Sequence, residues 1–110
     1  MTPRNIHDTN EGDSLYIPVI DHKARLLNDP VLLKISNDQF WLSIADSGLL
    51  FDALGLSIGY GYNVEIDEPD ISPLAVQGSK SEDVLSDIFG DRIRKLKFFK
   101  FGIFDFKGKQ

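Results

Sequence analysis

The sequence predicts an α+β domain in which two helices pack on one face of a mixed sheet. Three observations predict it. Between residues 14 and 45, short runs rich in β-branched and aromatic residues alternate with turn residues. Apolar residues then recur at helical spacing, first at Leu50, Phe51, Leu54 and Ile58, later at Val84, Leu85, Ile88 and Phe89. Short alternating runs return between and after these two stretches. The predicted order is β-β-β-α-β-β-α-β, and 110 residues make one domain rather than two.

Residues 1–13 are polar, contain Pro3 and Gly12, and read as a lead-in. Ser14 to Asp21 (SLYIPVID) reads as a strand, and Pro18 makes it an edge or irregular one because proline lacks a donor for the ladder. Asp21 to Arg25 is a polar turn. Val31 to Ser36 and Gln39 to Ala45 read as two strands joined through Asn37-Asp38 as a tight hairpin. Asp46 or Ser47 can cap the first helix, and Gly59-Tyr60-Gly61 ends it. Val64 to Asp67 alternates as a strand with one wet face, and Leu74-Ala75-Val76 reads as a short buried strand. Ser79-Lys80-Ser81-Glu82 fits the capping-box pattern ahead of the second helix, which Gly90 stops. Residues 98–106, rich in phenylalanine, read as the final strand.

Composition excludes several classes of function. Without cysteine there is no disulfide framework, no thiolate metal site and no cysteine nucleophile, and His7 and His22 are too few for a histidine-rich metal site. No apolar run approaches the roughly 20 residues of a membrane span, and the start of the chain is polar. A cytoplasmic protein is the default expectation. Charge is uneven: residues 1–91 carry 5 Lys/Arg against 16 Asp/Glu, whereas residues 92–110 carry 7 against 1. Arg92 to Phe101 mixes basic and aromatic residues, but the acidic body would repel a phosphate backbone, so contact between tail and body is expected rather than nucleic acid.

Phosphate-cradling and nucleophile-elbow motifs are missing: Gly59-Tyr60-Gly61 is not followed by a helix start, and there is no G-x-S-x-G. Glu65, Asp67, Glu68 and Asp70 cluster, yet alternation divides them between two strand faces and the spacing is not that of a calcium loop. Asp29 differs. It stands between apolar Leu26-Leu27 and apolar Val31-Leu32-Leu33. A carboxylate at the mouth of a buried strand is costly unless it is paired or used. It reads either as a turn aspartate bonding the local backbone ahead of Pro30, or as a functional acid.

At these residues a resemblance becomes specific. Asp21 to Ser47 (DHKARLLNDPVLLKISNDQFWLSIADS) resembles the aminomethyltransferase (glycine cleavage T-protein) family, closest to its dimethylsulfoniopropionate demethylase-like branch. Met1-Thr2-Pro3-Arg4-Asn5, Val64 to Lys80 (VEIDEPDISPLAVQGSK), Phe89-Gly90-Asp91 and Leu96 to Phe101 are similar to the family in the same order. The resemblance implies transfer of a one-carbon unit to tetrahydrofolate from a small methylated or aminomethyl donor. It implies that Asp29 is the family's key acid, near the reactive part of the folate, where a carboxylate hydrogen-bonds the folate amine and stabilises developing positive charge. Tyr16 on the preceding strand, with Asp46 and Ser47, would line the same folate pocket.

The sequence departs from the family's pattern in two places. The family's glycine pair ahead of the acid is Ala24-Arg25 here, and its Q-G-P-K is Gln77-Gly78-Ser79-Lys80. The first change bears on the turn before Asp29, the second only on a helix start. Family members are much longer, so the resemblance implies that residues 1–110 form one partial folate-binding domain, a fragment inactive alone. Half a domain would expose an apolar surface, and the expectation is a homodimer that mimics the two halves, with the first strand exchanged. The alternative is a non-catalytic, self-associating α+β module.

Overall fold

The structure is a computed structural model, and it describes residues 1–45 and 48–108. Five short strands come first: β1 (Ser14–Tyr16), β2 (Val19–Ile20), β3 (Leu26–Asn28), β4 (Val31–Lys34) and β5 (Phe40–Ser43). Two helices follow, α1 (Leu49–Tyr60) and α2 (Ser81–Phe89), then a 3₁₀-helix at Asp91–Lys95. The α+β class is as predicted. No helix among the described residues is long and apolar enough to cross a membrane.

β4 is the central strand of an antiparallel sheet ordered β1-β4-β5. It registers Leu32 opposite Leu15 on one side and opposite Leu42 on the other. The hairpin between β4 and β5 closes through the Ile35 and Ser36 amides, which both donate to the Gln39 carbonyl. The Ser36 hydroxyl donates to Asp38 within the turn at 2.7 Å. Pro18 splits the expected first strand: β1 stays in the main sheet, while β2 pairs with β3 in a separate two-stranded ribbon with a register shift at Val19/Ile20. β1 pairs with β4 of its own chain, from Ser14↔Leu33 to Tyr16↔Val31. Among the described residues, Ile17, Val19, Leu32 and Leu49 are the buried large apolar side chains, and Pro30 is fully enclosed.

The second half departs from the expected order. Residues 64–67 and 74–76 form no strand, and their side chains are exposed except for half-buried Ile66. A strand exists only where another strand accepts its ladder, and none of the described segments does so here. Residues 98–101 make one isolated bridge, Asp13↔Lys100, supported by the Ser14 amide on the Phe99 carbonyl and the Phe101 amide on the Gly12 carbonyl. The Lys100 ammonium pairs with the Asp13 carboxylate, so the basic tail does meet the acidic body. Farther along, Phe104 and Phe106 fold back onto Phe89, each with ring centroids 5.9 Å away.

The helices also differ from expectation. The closely packed pairs of elements are β4 with β5, β1 with β4, β2 with β3, and α2 with the 3₁₀-helix; α1 is in none of them. Of the expected apolar face of α1, Phe51 and Ile58 lie 75% and 80% exposed, while Leu49 and Ser57 are the buried positions. The α1 sequence is apolar nearly all round, so its spacing does not single out one face. Asp46 and Ser47, the expected caps, lie outside the described residues; the N-cap position is Gly48, and Gly61 closes the other end with φ 67°. The expected capping box before α2 does not form. Lys80 occupies the N-cap and the Ser81 hydroxyl donates to the Gly78 carbonyl. Glu82 turns to Arg94 instead, whose guanidinium also binds Asp83 and the Ser86 hydroxyl. The Asp83 and Glu82 carboxylates push the Arg94 guanidinium further above its already high range, Asp83 contributing most.

Because β4 is paired on both sides and Leu32 is 4% exposed, Leu32→Ala should cost about 2–5 kcal/mol, a large share of a small domain's stability. Urea unfolding followed by the fluorescence of Trp41, on the neighbouring strand, reads the shift directly.

Candidate functional site

The turn between β2 and β3 sets up the site. Asp21 accepts the Lys23 and Arg25 amides on Oδ1, at 2.8 and 2.9 Å, and the Arg25 guanidinium on Oδ2 at 2.7 Å. The Arg25 amide is the largest reason its carboxyl is held below the ordinary carboxylate range. Ala24 takes φ 59° in this turn, a left-handed conformation in which Cβ is strained. The substitution of Ala24-Arg25 for a glycine pair therefore leaves the turn in the shape glycine would favour, with the strain carried by Ala24.

β3 leads from that turn to Asn28 and Asp29, and Pro30 bends the chain into β4. The Pro30 carbonyl accepts the Ile17 amide at 3.0 Å, which fixes the end of β1 against the start of β4. Tyr16, the last residue of β1, faces Val31 in register. Its phenol then lies over the turn and donates to Asp29 Oδ2. Two of the four expected site residues, Tyr16 and Asp29, are thus brought together, while the expected Asp46 and Ser47 lie outside the described residues. Asp29 is exposed rather than enclosed, so its carboxylate is open to a ligand. The Asp29 amide is satisfied by Asn28 Oδ1 at 2.9 Å, and no donor among the described residues reaches Asp29 Oδ1.

Beside this pair is a recess of about 130 Å³ lined by Leu27, Asn28, Gly48, Leu49 and Asp52. Pockets that enclose a ligand the size of a drug run to roughly 300–1,000 Å³, so the recess alone is too small to enclose one. A larger hollow of about 280 Å³ lies between α2 and the 3₁₀-helix, but its charged members, Glu82 and Arg94, already satisfy each other. Among the described residues no group of three or more His, Cys, Asp or Glu could hold a metal ion.

Arg4 is the neighbour that sequence reasoning did not single out. Its guanidinium donates to the Tyr16 carbonyl at 2.8 Å, and the Met1 carbonyl accepts the Ile20 amide at 2.8 Å. The first residues therefore strap the end of β1, under the Tyr16–Asp29 pair. The sequence signal was present, since Arg4 lies in the opening Thr-Pro-Arg-Asn block, but its partner is a main-chain carbonyl that no side-chain pattern reveals.

The structure thus places a hydrogen-bonded phenol and carboxylate on a proline-braced turn, at the edge of a small recess. The comparisons with known proteins agree with the resemblance read from the sequence. Residues 1–110 match the GCVT N-terminal domain, and the chain belongs to that family. It is 42% identical to the dimethylsulfoniopropionate demethylase of Ruegeria pomeroyi, over 98% of this chain and 30% of that protein. It is 30% identical to the aminomethyltransferase of Chlorobaculum tepidum, over 100% of this chain and 32% of that protein. It is 28% identical to the aminomethyltransferase of Caldanaerobacter subterraneus subsp. tengcongensis, over 92% and 28% respectively. The chain thus spans about a third of the length of the curated relatives it matches.

Two expected outcomes test this geometry. The hydrogen bond to Asp29 is the largest of the effects that raise the Tyr16 phenol above its ordinary 10.0, burial and the carboxylate charge adding to it. A raised value means the bond contributes fully below pH 10 and is lost as pH rises through the raised midpoint. In NMR titrations, Asp29→Asn should move the Tyr16 ring midpoint down toward the ordinary value. Separately, Ala24→Gly should stabilise the chain by up to about 1 kcal/mol, whereas Ala53→Gly inside α1 should destabilise it by about 1 kcal/mol; paired thermal melts distinguish the two signs.

Proposed function

We propose that this chain forms the acidic wall of a tetrahydrofolate site in a protein of aminomethyltransferase or demethylase type. Residues 1–110 are then part of a folate-binding domain, and the reaction moves a one-carbon unit from a small methylated or aminomethyl donor to folate. The observation that carries this reading is the Tyr16–Asp29 hydrogen bond at the exposed turn before β4. Asp29 is the residue that the family resemblance marks as the acid. Tyr16 holds one carboxylate oxygen and leaves the other for the folate amine. The fixed negative charge of Asp29 stabilises positive charge that develops on that amine during transfer. The names of the relatives, a dimethylsulfoniopropionate demethylase and aminomethyltransferases, support both donor classes, a sulfonium compound and an aminomethyl group.

On this reading the chain binds folate weakly and does not turn over alone, because the recess beside Asp29 is smaller than a folate site needs. A second reading, a self-associating module without turnover, is favoured by the exposed apolar side chains of β5 and α1 and implies a homodimer. Calorimetric titration with tetrahydrofolate separates the two. The folate reading expects saturable binding, weakened at least a few-fold in Asp29→Asn with an unchanged circular dichroism spectrum. No heat at millimolar folate, or equal affinity in both proteins, would overturn it.

A further inference from the structure

The opening segment is fastened to the fold at both ends. The Met1 carbonyl accepts the Ile20 amide of β2 at 2.8 Å. The Thr9 carbonyl accepts the Lys34 ammonium from β4 at 2.8 Å, and Thr9 itself is buried. Arg4 lies between these anchors, and its amide donates to Thr2 Oγ1 at 3.3 Å. Its guanidinium is therefore presented from a fixed segment. Among the described residues no carboxylate pairs with it, and Nη1 donates to the Tyr16 carbonyl at 2.8 Å. A charged donor binds a carbonyl more strongly than a neutral one does.

The Tyr16 carbonyl has a particular place in the ladder. It shares one peptide unit with the Ile17 amide, and in a trans peptide the two groups point opposite ways. The Ile17 amide donates inward to the Pro30 carbonyl at 3.0 Å. The Tyr16 carbonyl therefore points outward, to the side of β1 away from β4. On that side the Phe101 amide serves the Gly12 carbonyl and the Phe99 carbonyl serves the Ser14 amide. Tyr16 is the next outward residue, and there Arg4 is the partner. The peptide plane after Tyr16 is thus held from both sides, by Arg4 and by Pro30. It orients the main chain of Tyr16, whose phenol reaches Asp29, the residue directly before Pro30.

We infer that Arg4 is a positioning residue for the Tyr16–Asp29 pair: it clamps the peptide plane that aims the phenol at the carboxylate. Its hydrogen bond goes to the main chain of Tyr16 and to neither side chain of the pair, so it acts through the backbone. This role is distinct from that of a nearby charge. Loss of a cation by itself raises the midpoint of a phenol, because a cation favours the phenolate. Loss of aim weakens the hydrogen bond that holds the Tyr16 midpoint up, and so lowers it. The sign separates the two. The placing of the carboxylate is independent of what binds there; that it serves folate rests on the function proposed above.

NMR titration of the Tyr16 ring in the full chain tests the inference. Arg4→Ala is expected to move the midpoint down, in the same direction as Asp29→Asn, with an unchanged circular dichroism spectrum. The double variant Arg4→Ala with Asp29→Asn is expected to go no lower than Asp29→Asn alone, because Arg4 acts only through that bond. A midpoint unchanged or raised in Arg4→Ala overturns the inference, as does an additive double variant. Should Arg4→Ala fail to fold, the wild type decides. Its Arg4 guanidinium resonances must shift as the Tyr16 phenol titrates, and flat resonances overturn the inference. Calorimetry with tetrahydrofolate keeps the two proposals apart. If the wild type binds, Arg4→Ala should weaken binding at least a few-fold, and an unchanged affinity overturns the inference. A wild type that does not bind sinks the folate reading alone, and the ring titration still decides the role of Arg4.

Discussion

The antiparallel pairing of β4 with β1 on one side and β5 on the other is the constraint from which the rest follows. It places Tyr16 opposite Val31, two residues beyond Asp29, so the phenol cannot avoid the turn. Pro30, fully enclosed at the start of β4, prevents that turn from extending β3 straight into the sheet. The Ile17 amide on the Pro30 carbonyl then locks the two segments together. The Tyr16–Asp29 bond is therefore a product of main-chain register, and Leu32 in the middle of β4 supplies the apolar contact that holds the register.

The second half is organised by charge where the first half is organised by a sheet. Arg94 gathers Glu82, Asp83 and Ser86 and holds the 3₁₀-helix against α2. Lys100 on Asp13 connects this assembly back to β1. These are largely exposed pairs, and exposed pairs contribute little individually and are screened by salt. Between the two assemblies, α1 and residues 62–76 carry Phe51, Ile58, Tyr62, Val64 and Leu74 toward solvent. Their apolar character records burial that the described contacts of this chain do not provide.

The features legible in the sequence are those that local chemistry decides. Val31 to Ser36 and Gln39 to Ala45 announced themselves through β-favouring composition and the Asn37-Asp38 turn, and the structure forms β4, the hairpin and β5 there. Gly61 and Gly90 mark helix ends because both take a positive φ, which costs glycine little. The tail-to-body contact was legible from the segregation of charge. The misread features depend on long-range partners. Val64 to Asp67 has strand chemistry but no ladder, and the apolar spacing of α1 suits several faces equally. Ser79 and Glu82 satisfy the capping pattern, but Arg94, a dozen residues beyond Glu82, outcompetes the local amide. Leu26 to Asn28 became a strand because the turn at Asp21 folds it back onto Val19, which the residues of that segment alone do not state.

The candidate site adjoins the end of β5. Ser43, the last residue of β5, faces Val31, and Val31 follows Asp29 by two residues. The recess beside Asp29 is walled on its other side by Gly48, Leu49 and Asp52, which begin α1. The pairing of β4 with β5 thus fixes where the turn at Asp29 ends, through Val31 opposite Ser43.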